Sequence, residues 1–142
     1  MSVKQISVFL ENKPGSLLDM TKKLAESGID MRAFSLAETS EFGIARILVD
    51  DVLETIDVLK EAGYVSSLTS VLAIKVSDTP GSLNQVLALL SDAGINVEYM
   101  YAFAGKGSGA YMVLRVADEA KASGILTAAG ILQVEQDQLK TL

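Results

Sequence analysis

One stretch of the chain occurs twice, and the remaining residues are arranged around its copies. The first reads Leu10-Glu11-Asn12-Lys13-Pro14-Gly15-Ser16-Leu17, the second Val76-Ser77-Asp78-Thr79-Pro80-Gly81-Ser82-Leu83. At a spacing of 66 residues, Leu24 also matches Leu90, Gly28-Ile29 matches Gly94-Ile95, Gly43 matches Gly109 and Leu48 matches Leu114. One extra residue in the second copy then moves the spacing to 67, where Leu59 matches Leu126 and Ala62-Gly63 matches Ala129-Gly130. A period this long, filled by several elements, means two copies of a small domain and not a solenoid. The boundaries expected are residues 1–70 and 71–142.

Each copy has the same order of patterns. Val3 to Leu10 is an apolar run that reads as a strand. Leu17, Met20 and Leu24 form a helical stripe that Gly28 is placed to end. Ile29 to Thr39 reads as a strand, Ser40 to Phe42 as a turn and Gly43 to Val49 as a third strand. Asp50 and Asp51 can cap a helix bearing Val52, Ile56 and Leu59, and Tyr64 to Leu68 closes the copy as a strand. In the second copy Val71 to Val76 is a strand, and Leu83, Val86, Leu87 and Leu90 follow helical spacing. Asn96 to Ala104 and Gly109 to Val116 read as a hairpin around Gly105 to Ser108. Asp118 opens the last helix, and Ile131 to Glu135 is the last strand. The expected fold is therefore α+β: two tandem ferredoxin-like βαββαβ units, with antiparallel sheets and helices on one face.

The Pro-Gly-Ser turn is the candidate for chemistry. It joins a strand to a helix, and such a junction directs backbone N–H groups outward, where a carboxylate can bind. Pro suits the turn, Gly allows close approach of a ligand, and Ser is placed to cap the helix. Other chemistry is restricted. The chain has no His and no Cys, which removes His-based nucleophile systems and the usual zinc sites. With a net charge of −6 and scattered Lys and Arg, there is no basic cluster for a nucleic acid. No apolar run approaches the length of a membrane span, and the first residues lack a secretory pattern, so a cytoplasmic location is expected. Gly105-Lys106-Gly107-Ser108-Gly109 lacks phosphate-loop spacing and reads as a hairpin turn. Asp50, Asp51, Glu54 and Asp57 read as helix-start acids and not as metal ligands. No cofactor is expected.

The ordered set strand, Asn-x-Pro-Gly, amphipathic helix, Gly-Ile-Asp or Gly-Ile-Asn, hairpin, helix and strand resembles the ACT domain family, and does so across both copies. The resemblance implies a non-catalytic regulatory module of amino-acid metabolism that binds a free amino acid, usually at an interface between domains. The alternative is a structural or partner-binding module without ligand, such as a regulatory subunit acting through protein contacts. In the serine-binding regulatory domain of phosphoglycerate dehydrogenase, the site uses the Asn of the turn and an Asn just after the Gly-Ile pair. Those positions fall on Asn12 and Asp30 in the first copy, and on Asp78 and Asn96 in the second. A His before the turn in that relative falls on Leu10 and Val76, which departs from serine specificity. The implied ligand-binding set is Asn12, Lys13, Gly15, Ser16, Leu17, Asp30 and Met31, with Asp78, Thr79, Gly81, Ser82, Leu83, Asn96 and Val97 in the second copy. Asp30 or Asp78 would accept from the ligand ammonium.

One strand also points to assembly. Val97, Tyr99, Tyr101 and Phe103 alternate with Met100, Ala102 and Ala104, so both faces are apolar. A homodimer through sheet surfaces or edges is the expectation, with a metabolic enzyme as a possible further partner.

Overall fold

A computed structural model describes residues 2–107 and 109–142; Met1, in the expected first domain, and Ser108, in the expected hairpin turn, lie outside the described residues. The chain divides into two compact units, one of Lys4–Thr69 and one of Ser70–Leu142 with the extreme N-terminal residues. Among the described residues no helix is long and apolar enough to cross a membrane.

The first unit contains β1 (Val3–Glu11) from Lys4 onward, α1 (Ser16–Glu26), β2 (Met31–Glu38), β3 (Phe42–Val49), α2 (Val52–Glu61) and the opening of β4 (Val65–Val76). Its strand order is β2-β3-β1-β4. The β1–β3 ladder is antiparallel, with Ile6 opposite Ile47 and Val8 opposite Ala45. Alternation sends Ile6, Val8, Leu10, Ala45, Ile47 and Val49 to one face, where Met20 and Leu24 of α1 and Leu59 of α2 close over them. Both helices lie on that face because each has one apolar stripe and only one sheet face on which to bury it.

The second unit repeats the plan with the end of β4, α3 (Ser82–Asp92), β5 (Tyr99–Phe103), β6 (Ala110–Arg115), α4 (Glu119–Ala128) and β7 (Leu132–Val134). The strand order is β5-β6-β4-β7. Leu72, Ile74 and Val76 meet Val86 and Leu90 of α3 and Ala122 and Leu126 of α4. Gly124 in the middle of α4 is exposed. The βαββαβ order with antiparallel ladders and helices on one face is the expected fold.

The structure amends several local expectations. The strands expected over Tyr64–Leu68 and Val71–Val76 are one twelve-residue strand, β4. Leu68-Thr69-Ser70-Val71 holds no Gly, Pro, Asn or Asp, so nothing in it turns the chain. The strand expected from Asn96 begins only at Tyr99, opposite Arg115 at the end of β6. Asn96 and Val97 thus have no ladder partner, and Val97 leaves the alternation to pack with Met100 against the helix-side core. After β7 an unforeseen 3₁₀ turn, Gln136–Thr141, buries Leu139 completely.

The extra residue of the second copy also sits elsewhere than the sequence matching placed it. Leu10 faces Gly43 across the first ladder, and Val76 faces Ala110 across the second. Gly43 is therefore the counterpart of Ala110, and Gly109 is the counterpart of Phe42. Phe34 pairs with Ile47 as Met100 pairs with Leu114. The difference in length therefore falls in the hairpin between β5 and β6, upstream of where identical letters had put it.

Candidate functional site

The turns are built on left-handed glycines. Gly15 (φ 88°) is the N-cap of α1 and Gly81 (φ 89°) the N-cap of α3, and neither helix has a side-chain cap. Ser16 and Ser82, expected as caps, are instead the first helical residues. The glycines are there because the backbone needs a positive φ, which L-residues resist. A Cβ at either position would meet no protein atom within 4 Å, so the conformation and not packing within the protein calls for glycine there.

In the second copy the turn carries a chain of hydroxyls. Ser82 Oγ lies 2.7 Å from Thr79 Oγ1 and 3.1 Å from Ser77 Oγ. The Ser82 N–H donates to the Thr79 carbonyl at 3.2 Å. Beside this turn lies an open cavity of about 550 Å³, lined by Ser77, Asp78, Thr79 and Ser82. Lys75 and Val76 from the end of β4, Gln85 from α3, Gly109 before β6, and Gly130, Ile131 and Leu132 before and in β7 complete it. Of the expected residues, Asp78, Thr79 and Ser82 are brought together there, whereas Gly81, Leu83, Asn96 and Val97 are not among its lining.

Lys75 is the charged lining residue that sequence reading missed; Val76, Ser77, Gln85, Gly109, Gly130, Ile131 and Leu132 were not among the expected residues either. Lys75 stands opposite Tyr111 and Leu132 in the sheet, and its ammonium lies over the Tyr111 ring, 5.6 Å from the centroid. That ring also stacks, tilted, on Phe103 at 5.2 Å. An ammonium above an aromatic face is attracted by the ring. Among the described residues neither Lys75 nor Asp78 belongs to an ion pair.

The first copy is arranged differently. Lys13 pairs with Glu11 at 2.9 Å across its turn, and this contact holds the Lys13 ammonium above its ordinary pKa. The Asn12 side-chain amide donates to the Thr39 carbonyl at 2.9 Å, tying the turn to the β2–β3 hairpin. The place equivalent to the large cavity is lined by Phe9, Leu10, Glu11, Lys13, Ser16, Asp19 and Tyr64 and amounts to about 220 Å³. Burial, with Asp19 adding to it, pushes the Tyr64 phenol up. On the other side of the turn Asn12, Lys13, Ser16 and Leu17 line a cleft of about 60 Å³.

Asp30 and Met31 stand apart from the turn of their own copy. Asp30 is exposed, pairs with Arg32 at 2.8 Å, and receives no role in either cleft. Met31 packs against the first core. Eleven-residue helices separate Asn12 from Asp30 and Asp78 from Asn96. Each such helix is roughly 16 Å long. No single copy therefore brings its two amide-or-carboxylate positions together. Among the described residues no group of three or more His, Cys, Asp or Glu is arranged to hold a metal ion.

Comparison with known proteins matches the chain over residues 1–142 to the family model described as an ACT domain pair. Among solved structures it is similar to protein BT0572 of Bacteroides thetaiotaomicron, with 35% identity, a TM-score of 0.94, and 100% of this chain and 98% of that one covered. It is also similar to the regulatory subunit of aspartate kinase from Thermus thermophilus, at 18% identity and a TM-score of 0.65, with 89% and 90% covered. A third likeness is to the aspartokinase alpha and beta subunits, at 20% identity and a TM-score of 0.57, with 89% and 91% covered. At these last identities the likeness is one of fold. Comparison with curated proteins gave no match. The family model spans both copies of the repeat from end to end, and the chain belongs to the ACT domain pair family.

Proposed function

We propose that this chain is a non-catalytic, cytoplasmic regulatory protein that binds a free amino acid at a Pro-Gly turn and controls an enzyme of amino-acid metabolism. The observation that carries the reading is the cavity beside the second turn, where a cation, a carboxylate and three hydroxyls line one space. A zwitterion needs donors for its carboxylate and an acceptor for its ammonium. Lys75, the turn hydroxyls and the N-terminus of α3 offer the first, and Asp78 offers the second. An inventory without His or Cys supports binding over catalysis. The regulatory reading is supported by family membership and by likeness in fold to regulatory subunits of aspartate kinase. Asp30 and Asn96 stand far from their own turns, which supports a homodimer in which a turn of one copy meets that end of another.

The test is a thermal-shift panel of the twenty amino acids with sedimentation alongside. A ligand of the folded state raises the melting temperature in proportion to its saturation. A shift with one amino acid or a few, on a dimer, is the expected result. No shift from any amino acid at millimolar concentration favours the ligand-free, partner-binding alternative, and a monomer at micromolar concentration removes the dimer.

A further inference from the structure

The two copies share a backbone plan but not the same space beside their turns. Ladder registers make Phe9 the counterpart of Lys75 and Phe42 of Gly109, and the 67-residue spacing makes Tyr64 the counterpart of Ile131, each donating its N–H to the equivalent leucine carbonyl of the preceding helix. In the first copy three aromatic side chains and the Lys13–Glu11 pair hold the positions that the second copy gives to a lysine, a glycine, an isoleucine, a threonine and a serine. The first has about 220 Å³ at that place and the second about 550 Å³. Phe9 offers no charge, and the Lys13 ammonium is paired with Glu11.

We infer that the chain binds one amino acid at the second turn only, and that Lys75 receives its carboxylate while Asp78 receives its ammonium. The inference rests on the amino-acid reading above and deepens it. Lys75 and Asp78 line the same cavity yet form no ion pair with each other, so each charge is left to a partner that bears both signs. Gly109 keeps the mouth open on the Lys75 side: a Cβ there would come 3.2 Å from the Lys75 Cε and 2.8 Å from the Val76 carbonyl. Ile131 and Leu132, the latter exposed and the ladder partner of Lys75, add apolar surface to the lining and are suited to a ligand's side chain.

The test is isothermal titration of the full-length protein with each of the twenty amino acids, followed by the carboxamide of whichever binds. The expected stoichiometry is one per chain. Lys75→Gln is expected to weaken binding about ten- to a hundredfold, as loss of a charge-assisted contact does, while Lys75→Arg retains most of it. Phe9→Gln, the same site in the first copy, is expected to leave affinity unchanged. The carboxamide should bind wild type as weakly as the free acid binds Lys75→Gln, with no further loss in that variant. Two equivalents per chain, or unchanged affinity in Lys75→Gln with an intact circular dichroism spectrum, overturns this inference while leaving amino-acid binding standing. No binding by any amino acid overturns both.

Discussion

The Tyr111 ring lies directly against the backbone of Gly105: a Cβ at that glycine would come 2.4 Å from the Tyr111 Cε2. The ring is itself buried, at 5% exposure, and its hydroxyl donates to the Lys106 carbonyl at 3.4 Å, so it has no room to give. Gly105→Ala is therefore expected to destabilise the protein by about 1–3 kcal/mol, the usual cost of overpacking. In a Tyr111→Val background the added methyl should cost much less. Urea denaturation of the four-member cycle checks it; equal penalties in both backgrounds would mean that the ring is not the obstacle.

Gly81 and Gly15 make a different kind of prediction. Their surroundings are open, so the cost of a side chain comes from φ alone. Gly81→Ala is expected to lower stability by about 1–2 kcal/mol, and Gly81→Val by more. Gly81→Asn should cost least, because Asn tolerates the left-handed region better. Thermal melts rank the three, and a neutral Gly81→Val would show that the turn adapts.

Gly124 is the opposite case. It lies in the middle of α4, exposed, with open space around a built Cβ and no positive φ. Gly124→Ala should raise stability by about 0.5–1 kcal/mol through helix propensity. A drop in the denaturation midpoint would contradict this.

The helix caps separate acids from serines. The Asp51 side chain accepts from the Glu54 N–H at 3.1 Å, and Asp118 accepts from the Lys121 N–H at 3.0 Å. Asp51→Ala or Asp118→Ala should each cost about 1 kcal/mol. Ser16→Ala, at the first position inside α1, should change stability by less than about 0.5 kcal/mol. If the serine variant proves as costly as the aspartates, the assignment of Gly15 as the cap is wrong.

Tyr64 provides a pH test. Burial, reinforced by the negative charge of Asp19, raises its phenol above the ordinary value of 10.0. The neutral form is favoured in the folded state, so its contribution is complete below pH 10 and is lost as pH rises through the folded pKa. An ultraviolet difference titration of wild type against Tyr64→Phe should show a midpoint above 10, and Asp19→Asn should bring it down. A midpoint at or below 10 in wild type would place the ring in water.

Much of the architecture was legible because it rests on local chemistry. The Pro-Gly turns, the stripes Leu17-Met20-Leu24 and Leu83-Val86-Leu90, and the helix-stopping Gly28 and Gly94 each state their structure within a few residues. What was illegible depended on partners. Ladder register cannot be read from one strand, so Gly109 was matched to Gly43 by letter while the sheet matches it to Phe42. Ser16 looked like a cap because Ser is common there, yet the residue before it had already taken that place through its φ. Lys75 escaped notice because a lysine near the end of an apolar strand reads as a solvated edge. Only the pairing with Tyr111 and Leu132 shows that it borders a cavity. The pairs Asn12 with Asp30 and Asp78 with Asn96 looked like single sites in sequence and were separated by the length of a helix.

The one-residue difference between the hairpins has a consequence for how such chains change over generations. Within a strand, a single added residue would turn every later side chain to the opposite face, and the interior would be lost. In the loop before β6 it leaves the alternation of both interiors intact and alters only what stands at the rim, a phenylalanine in one half and a glycine in the other. A duplicated chain of this design can therefore acquire two different recognition surfaces by editing loop length, without a compensating substitution in either core.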